Sequence, residues 1–167
     1  AIDIVDAYKA AGYTGIIITD HFFYGNTAVD RSLPWGEWVN GFCKGYENAL
    51  EEGNRIGLQV FFGWESGYKG TEFLIHGLDK DWLLAHPEIR DADVKTQYEL
   101  VHAGGGMVIH AHPFREAPYI PEIRLFPEYV DGVEAVNATH SGTLTKSRCM
   151  GHPEFNDRAI DYADRHQ

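Results

Sequence analysis

The chain has 167 residues, 44% hydrophobic and 23% charged, with a formal net charge of -11. That is enough for one domain with a real core, and the acidic balance argues against general binding to nucleic acid or a membrane surface, which calls for a basic patch. Cys43 and Cys149 are too few for a disulfide framework, no apolar run approaches the roughly 20 residues of a membrane helix, and the N-terminus lacks a signal-peptide pattern, so a reduced, cytoplasmic setting is expected.

Ile4, Val5, Tyr8 and Ala11 recur at helical spacing, with Gly12 as the stop. The chain thus opens inside a helical pattern and breaks off at Gln167 inside another. Residues 1–167 are expected to form a single domain truncated at both ends. Gly15 to His21 is an apolar, β-branched run that predicts a buried strand. A loop follows to Pro34, then one long helix through Trp38, Phe42, Tyr46 and Ala49, whose aromatic stripe is core packing. Leu58 to Glu65 predicts the next strand, Ser66 to Gly70 a turn, and Thr71 to Gly77 another strand. A short helix over Asp79–Ala85 ends before Pro87; a longer one over Asp91–Ala103 ends at three glycines. Met107–His112 and Gly132–Asn137 predict two more strands, Ala138–Pro153 a long loop, and Phe155 onward a helix. This alternation favours an α/β fold with a largely parallel sheet.

Four of these segments close on a metal-ligand residue: Asp20-His21, Glu65, His76, and His110-Ala111-His112. In α/β folds the strand ends gather on the face that carries active sites. Imidazoles with a carboxylate suit Zn, Mn or Fe. Each residue also has a bland reading. Glu65 can be a solvated strand terminus, His76 a hydrogen-bonded core residue, and Asp20 a loop cap. His110 and His112, two apart on one strand, are expected to leave the same face. Arg115, in His-Pro-Phe-Arg, is placed to clamp a phosphate bidentately or to sit solvated in its loop. Lys69, Arg124, Lys146 and Arg148 are weaker candidates for the same role, and His140 follows a strand end.

The ordered set Ile-Thr-Asp-His (18–21), Gly-Trp-Glu (63–65), Phe-Leu-Ile-His-Gly-Leu-Asp (73–79), Ala-His-Pro-Phe-Arg (111–115) and Gly-Val-Glu-Ala-Val-Asn (132–137) resembles the polymerase and histidinol phosphatase (PHP) family of metal-dependent phosphoesterases. The resemblance covers nearly the whole chain. It implies a distorted (β/α)7 TIM-like barrel, incomplete in this chain, with up to three divalent metals at the strand ends. It further implies His21 as a ligand of the third metal, Glu65 as the bridge between the first and second, and His76 and His112 as ligands of the second. Asp20 stands behind the ligands and Arg115 contacts phosphate; His110 is at no usual ligand position. The family's opening strand with its His-x-His and its last strand with its Asp-x-His are not in the chain, and they are expected to lie beyond its two ends.

The ligand set together with the resemblance implies hydrolysis of a small phosphomonoester, with a metal-bound hydroxide as nucleophile and Glu65 and Arg115 as the catalytic residues; that the activity is histidinol-phosphatase-like is implied by the resemblance alone. A nuclease or nucleotide phosphodiesterase on the same scaffold is the first alternative. A non-catalytic module stapled by one metal is the second. No oligomeric state is implied.

Overall fold

The computed structural model describes residues 1–141 and 152–166. Lys146, Arg148 and Cys149 lie outside them. The helices are α1 (Ile2–Ala10), α2 (Trp35–Phe42), α3 (Lys44–Ile56), α4 (Lys80–Ala85), α5 (Val94–Ala103) and α6 (Glu154–Arg165). The strands are β1 (Gly15–His21), β2 (Gln59–Tyr68), β3 (Thr71–His76), β4 (Met107–Ala111) and β5 (Gly132–Val133).

The single helix expected through Trp38 and Ala49 is two, divided at Cys43. The Cys43 N–H still donates to the Val39 carbonyl (2.9 Å), and Glu47 N–H donates to the Cys43 carbonyl (2.9 Å), so the break is a bend rather than a gap. β5 is shorter than expected. Glu134 N–H still reaches the His110 carbonyl at 2.8 Å. Three residues on, Asn137 N–H donates to the Asn156 side chain of α6 (3.0 Å), and a backbone group spent there cannot extend a ladder.

The five strands form one sheet in the order β1-β2-β3-β4-β5. β1 is parallel to β2, and β4 to β5, but β3 is antiparallel to both its neighbours. The expected largely parallel sheet is therefore mixed. Its cause is local: Tyr68 pairs with Thr71, leaving Lys69 and Gly70 as a two-residue turn. Both have positive φ, 50° and 87°, the twist-matched geometry of a tight hairpin. A connection that short can only return the chain antiparallel. The sheet is also open, with β1 and β5 at its edges among the described residues, so the expected barrel is not what these residues form.

Side-chain alternation divides the sheet into two faces. Ile16, Ile18, Val60, Phe62, Trp64, Phe73, Ile75 and Val108 point into the helical layer of α1 to α5. Trp38, fully buried, stacks on Phe42 (5.0 Å) and meets Phe22 edge-on (5.1 Å), so the aromatic stripe is core as expected. The opposite face carries Ile17, Phe61 and Met107, all about half exposed. α6 packs separately, with Ala159 and Tyr162 against Phe114 and Val133.

Candidate metal centre

β1, β2 and β4 run in the same direction, so their C-terminal residues share one end of the sheet. The register aligns His21 with Glu65. β3 runs the other way, and so delivers its beginning to that end: Glu72 pairs with Gly67 on one side and Ala111 on the other. His21, Glu65 and Glu72 all leave the open face. Each offers a ligand atom within 4.8 Å of the others.

His112 reaches the two carboxylates by an unusual route. β4 ends at Ala111, and His112 takes φ 29°, a left-handed value rare for a non-glycine residue and more so before proline. The distortion separates it from its neighbour. His110 stays on the covered face against Phe73 (5.2 Å between rings), while His112 swings to Glu65 and Glu72. The expectation that the two histidines share a face fails because the strand geometry stops one residue too early. The Glu134 carboxylate holds the turn by accepting from His112 N–H at 2.9 Å, and Arg115 N–H donates to the His112 carbonyl at 3.0 Å.

His112 Nε2 lies 3.2 Å from Glu65 Oε1 and 3.1 Å from Glu72 Oε2. His21 Nε2 is 3.9 Å from Glu65 Oε2, and its Nδ1 is 3.6 Å from Glu72 Oε1. A single ion takes one nitrogen of a ring, and His21 meets Glu65 through Nε2 but Glu72 through Nδ1; with one atom from each residue, His21, Glu65 and Glu72 come within 4.8 Å of one another. Two imidazoles and two carboxylates are also a donor set suited to Zn, Mn or Fe. His21, Glu65 and Glu72 approach closely enough to share a divalent cation, and His112 adds a donor beside the two carboxylates.

The electrostatics agree. Burial alone would push the His112 pKa down, but Glu65 and Glu72 accepting its proton outweigh burial and raise it. Burial would raise Glu72, but hydrogen bonding to His112 and the charges of His112, His21 and Arg115 hold it below the usual carboxylate range. The two carboxylates thus gather positive charge, as a cation site would require.

The other expected site residues are dispersed. His76 ends β3 and pairs with Gly63, at the opposite end of the strand from Glu72. Its expected place beside His112 is lost with the reversal of β3. Burial lowers its pKa, and its Nδ1 is buried with no partner. Gly63 accommodates it, since a Cβ there would lie 3.0 Å from that nitrogen and 2.6 Å from the Ile75 carbonyl. Asp20 pairs with Trp64 on the covered face, and its carboxylate lies over Gly45 in the first turn of α3, away from the cluster. Burial, then the charge of His112, brings His110 down to about 4, a neutral core residue at physiological pH.

Arg115 does reach the site: it lines one concavity with Glu72 and His112. Its Nε donates to His140 Nε2 at 3.2 Å, and its Nη1 to the Tyr119 hydroxyl at 3.4 Å. Arg124 lines the same concavity and donates to the Lys69 carbonyl. Glu72 is the member of the cluster that strand-end reasoning misses. Its signal was a two-residue turn between Tyr68 and Thr71, which turns the next strand's first carboxylate toward the site.

No family model matches the chain, and no curated protein matches it. Among solved structures it is similar to a protein of Bifidobacterium adolescentis provisionally described as a metal-dependent phosphoesterase. The superposition has a TM-score of 0.57 at 16% identity and covers 99% of this chain and 78% of the other. At that identity the likeness is one of fold.

Proposed function

We propose that this protein is a metal-dependent hydrolase of phosphate esters, acting on small monoesters, with His21, Glu65, Glu72 and His112 as the ligands of a divalent cation. The observation that carries this reading is the convergence of His21 from the end of β1, Glu65 from within β2, Glu72 from the start of β3 and His112 from the turn after β4, with Arg115 beside them. A bound Zn, Mn or Fe ion supplies Lewis-acid stabilisation of phosphoryl oxygens and a nucleophile at neutral pH. The protein's own share is placement. Glu65 and Glu72 hold the charge, His112 is locked by Glu134, and Arg115 offers the N–H groups its neighbours leave unused to a phosphoryl oxygen. Among the described residues no carboxylate lies within 4.0 Å of the Arg115 guanidinium, so it is free to meet an anion. The description of the Bifidobacterium structure supports the same class. The net charge of -11 favours a small substrate over long nucleic acid.

The test is metal analysis of the purified protein, followed by assay of the metal-loaded form on p-nitrophenyl phosphate, bis-p-nitrophenyl phosphate and single-stranded DNA. Stoichiometric metal with preference for the monoester is expected. Absence of bound metal overturns the reading, and preference for DNA replaces it with a nuclease.

A further inference from the structure

His140 is 1% exposed, yet it does not belong to the metal cluster. Both of its ring nitrogens are engaged elsewhere. Nδ1 is 3.2 Å from Asn156 Oδ1, an atom that can only accept, so Nδ1 carries the proton. Asn156 is itself fixed in that orientation: its Oδ1 accepts from Asn137 N–H (3.0 Å), and its Nδ2 donates to the Asn137 carbonyl (3.3 Å). With the proton on Nδ1, the lone pair is on Nε2, and it accepts from Arg115 Nε–H at 3.2 Å. Asn137 Nδ2 also donates to Glu134 (3.1 and 3.2 Å), the carboxylate that holds His112 in its left-handed turn. One polar chain from α6 thus sets both His112 and Arg115.

From this geometry we infer that His140, held in the Nδ1–H tautomer by Asn156, is a positioning residue for Arg115. It fixes the guanidinium by its Nε edge, leaving N–H groups of the outer fork for a phosphoryl group at the cation. Without an acceptor at that point the arginine is free to swing, and a fork that must be ordered on binding loses affinity. This rests on the reading of Arg115 as a phosphate contact, and the experiment separates the two.

Metal-loaded wild type, His140→Leu, His140→Gln, Arg115→Ala and the double variant His140→Leu/Arg115→Ala are titrated with inorganic phosphate by calorimetry. His140→Leu is expected to weaken phosphate about tenfold with unchanged metal stoichiometry. His140→Gln, which keeps an acceptor, recovers most of that loss. In the Arg115→Ala background, His140→Leu is expected to cost nothing further, since the effect runs through the arginine. An equal loss in both backgrounds overturns the positioning role. Equal phosphate affinity for wild type and Arg115→Ala overturns the reading of Arg115 instead, and the inference with it. Nitrogen-detected NMR of the wild type gives a measurement independent of any variant's folding. The Nδ1–H tautomer of His140 is expected, and an Nε2–H imidazole or an imidazolium would sink the proposal.

Discussion

Glu72 and His76 leave the same face of one strand, four residues apart, and their surroundings could hardly differ more. Glu72 faces His21 and His112 across two neighbouring strands, and its carboxylate is held ionised by them. His76 lies at the other end beside Gly63 and Met107, with one ring nitrogen buried and unpaired. Chemical aptitude for metal is the same at both positions. What differs is which end of the sheet each occupies, and strand direction decides that.

The comparison breaks most sharply under ligand removal. Glu72→Gln is expected to lower metal affinity by more than the roughly 10–100-fold lost when a supporting partner is removed, while His76→Leu leaves it within about twofold. Equilibrium dialysis with Zn and Mn on both variants measures this. A large loss at His76 with none at Glu72 would invert the assignment of the two ends. His112→Gly is expected to match Glu72→Gln in metal loss and, because glycine adopts left-handed backbone without strain, to return some stability; thermal denaturation of the metal-free variant reads the second part.

A smaller effect follows from titration. In metal-free protein, His112 has a raised pKa against an ordinary 6.5, and Glu72 a lowered one against an ordinary 4.5. The His112 contribution is complete below its unfolded pKa and is lost as pH rises through the raised folded value. The Glu72 contribution is present above its unfolded pKa and is lost as pH falls through the lowered one. Metal-free stability is therefore expected to decline on the alkaline side as His112 deprotonates. Over the same range the gain in Tm on adding metal grows, because the cation no longer competes with the His112 proton. A metal-induced gain that shrinks with rising pH would count against His112 as a ligand.

The smallest effect is expected on the covered face. His110→Leu removes a buried nitrogen without a partner and should change stability by no more than about 1 kcal/mol, toward greater stability. His110 is neutral when folded, at about 4, and charges more readily when unfolded. It therefore costs stability as pH falls from its ordinary value toward 4, and the variant should be the more acid-resistant. Chemical denaturation at two pH values checks both points.

Much of this was legible in the chain. The pattern of apolar runs and breakers located the strands closely enough to bring His21, Glu65 and His112 toward one end of the sheet, although β2 runs on to Tyr68 and β4 stops at Ala111, and the residue types pointed to a divalent cation. His140, Glu72 and the reversal of β3 were not legible in the same way. A histidine in a loop and a glutamate at the start of a strand have no periodic signature. Their roles come from what the fold sets against them, such as Asn156 of α6 for His140.

The sequence by itself determined the alternation of helices and strands, the apolar face that the helices cover, and the supply of imidazoles and carboxylates. Those depend on local spacing and on side-chain chemistry. Only the tertiary structure decided which of the supply meets. A two-residue turn at Lys69 and Gly70 reverses β3, exchanging His76 for Glu72. A left-handed His112 parts company with His110, and a clasp between Asn137 and Asn156 sets His140 behind Arg115. Each of these rests on contacts between residues far apart in the chain or on a single backbone angle, and neither is written in periodicity.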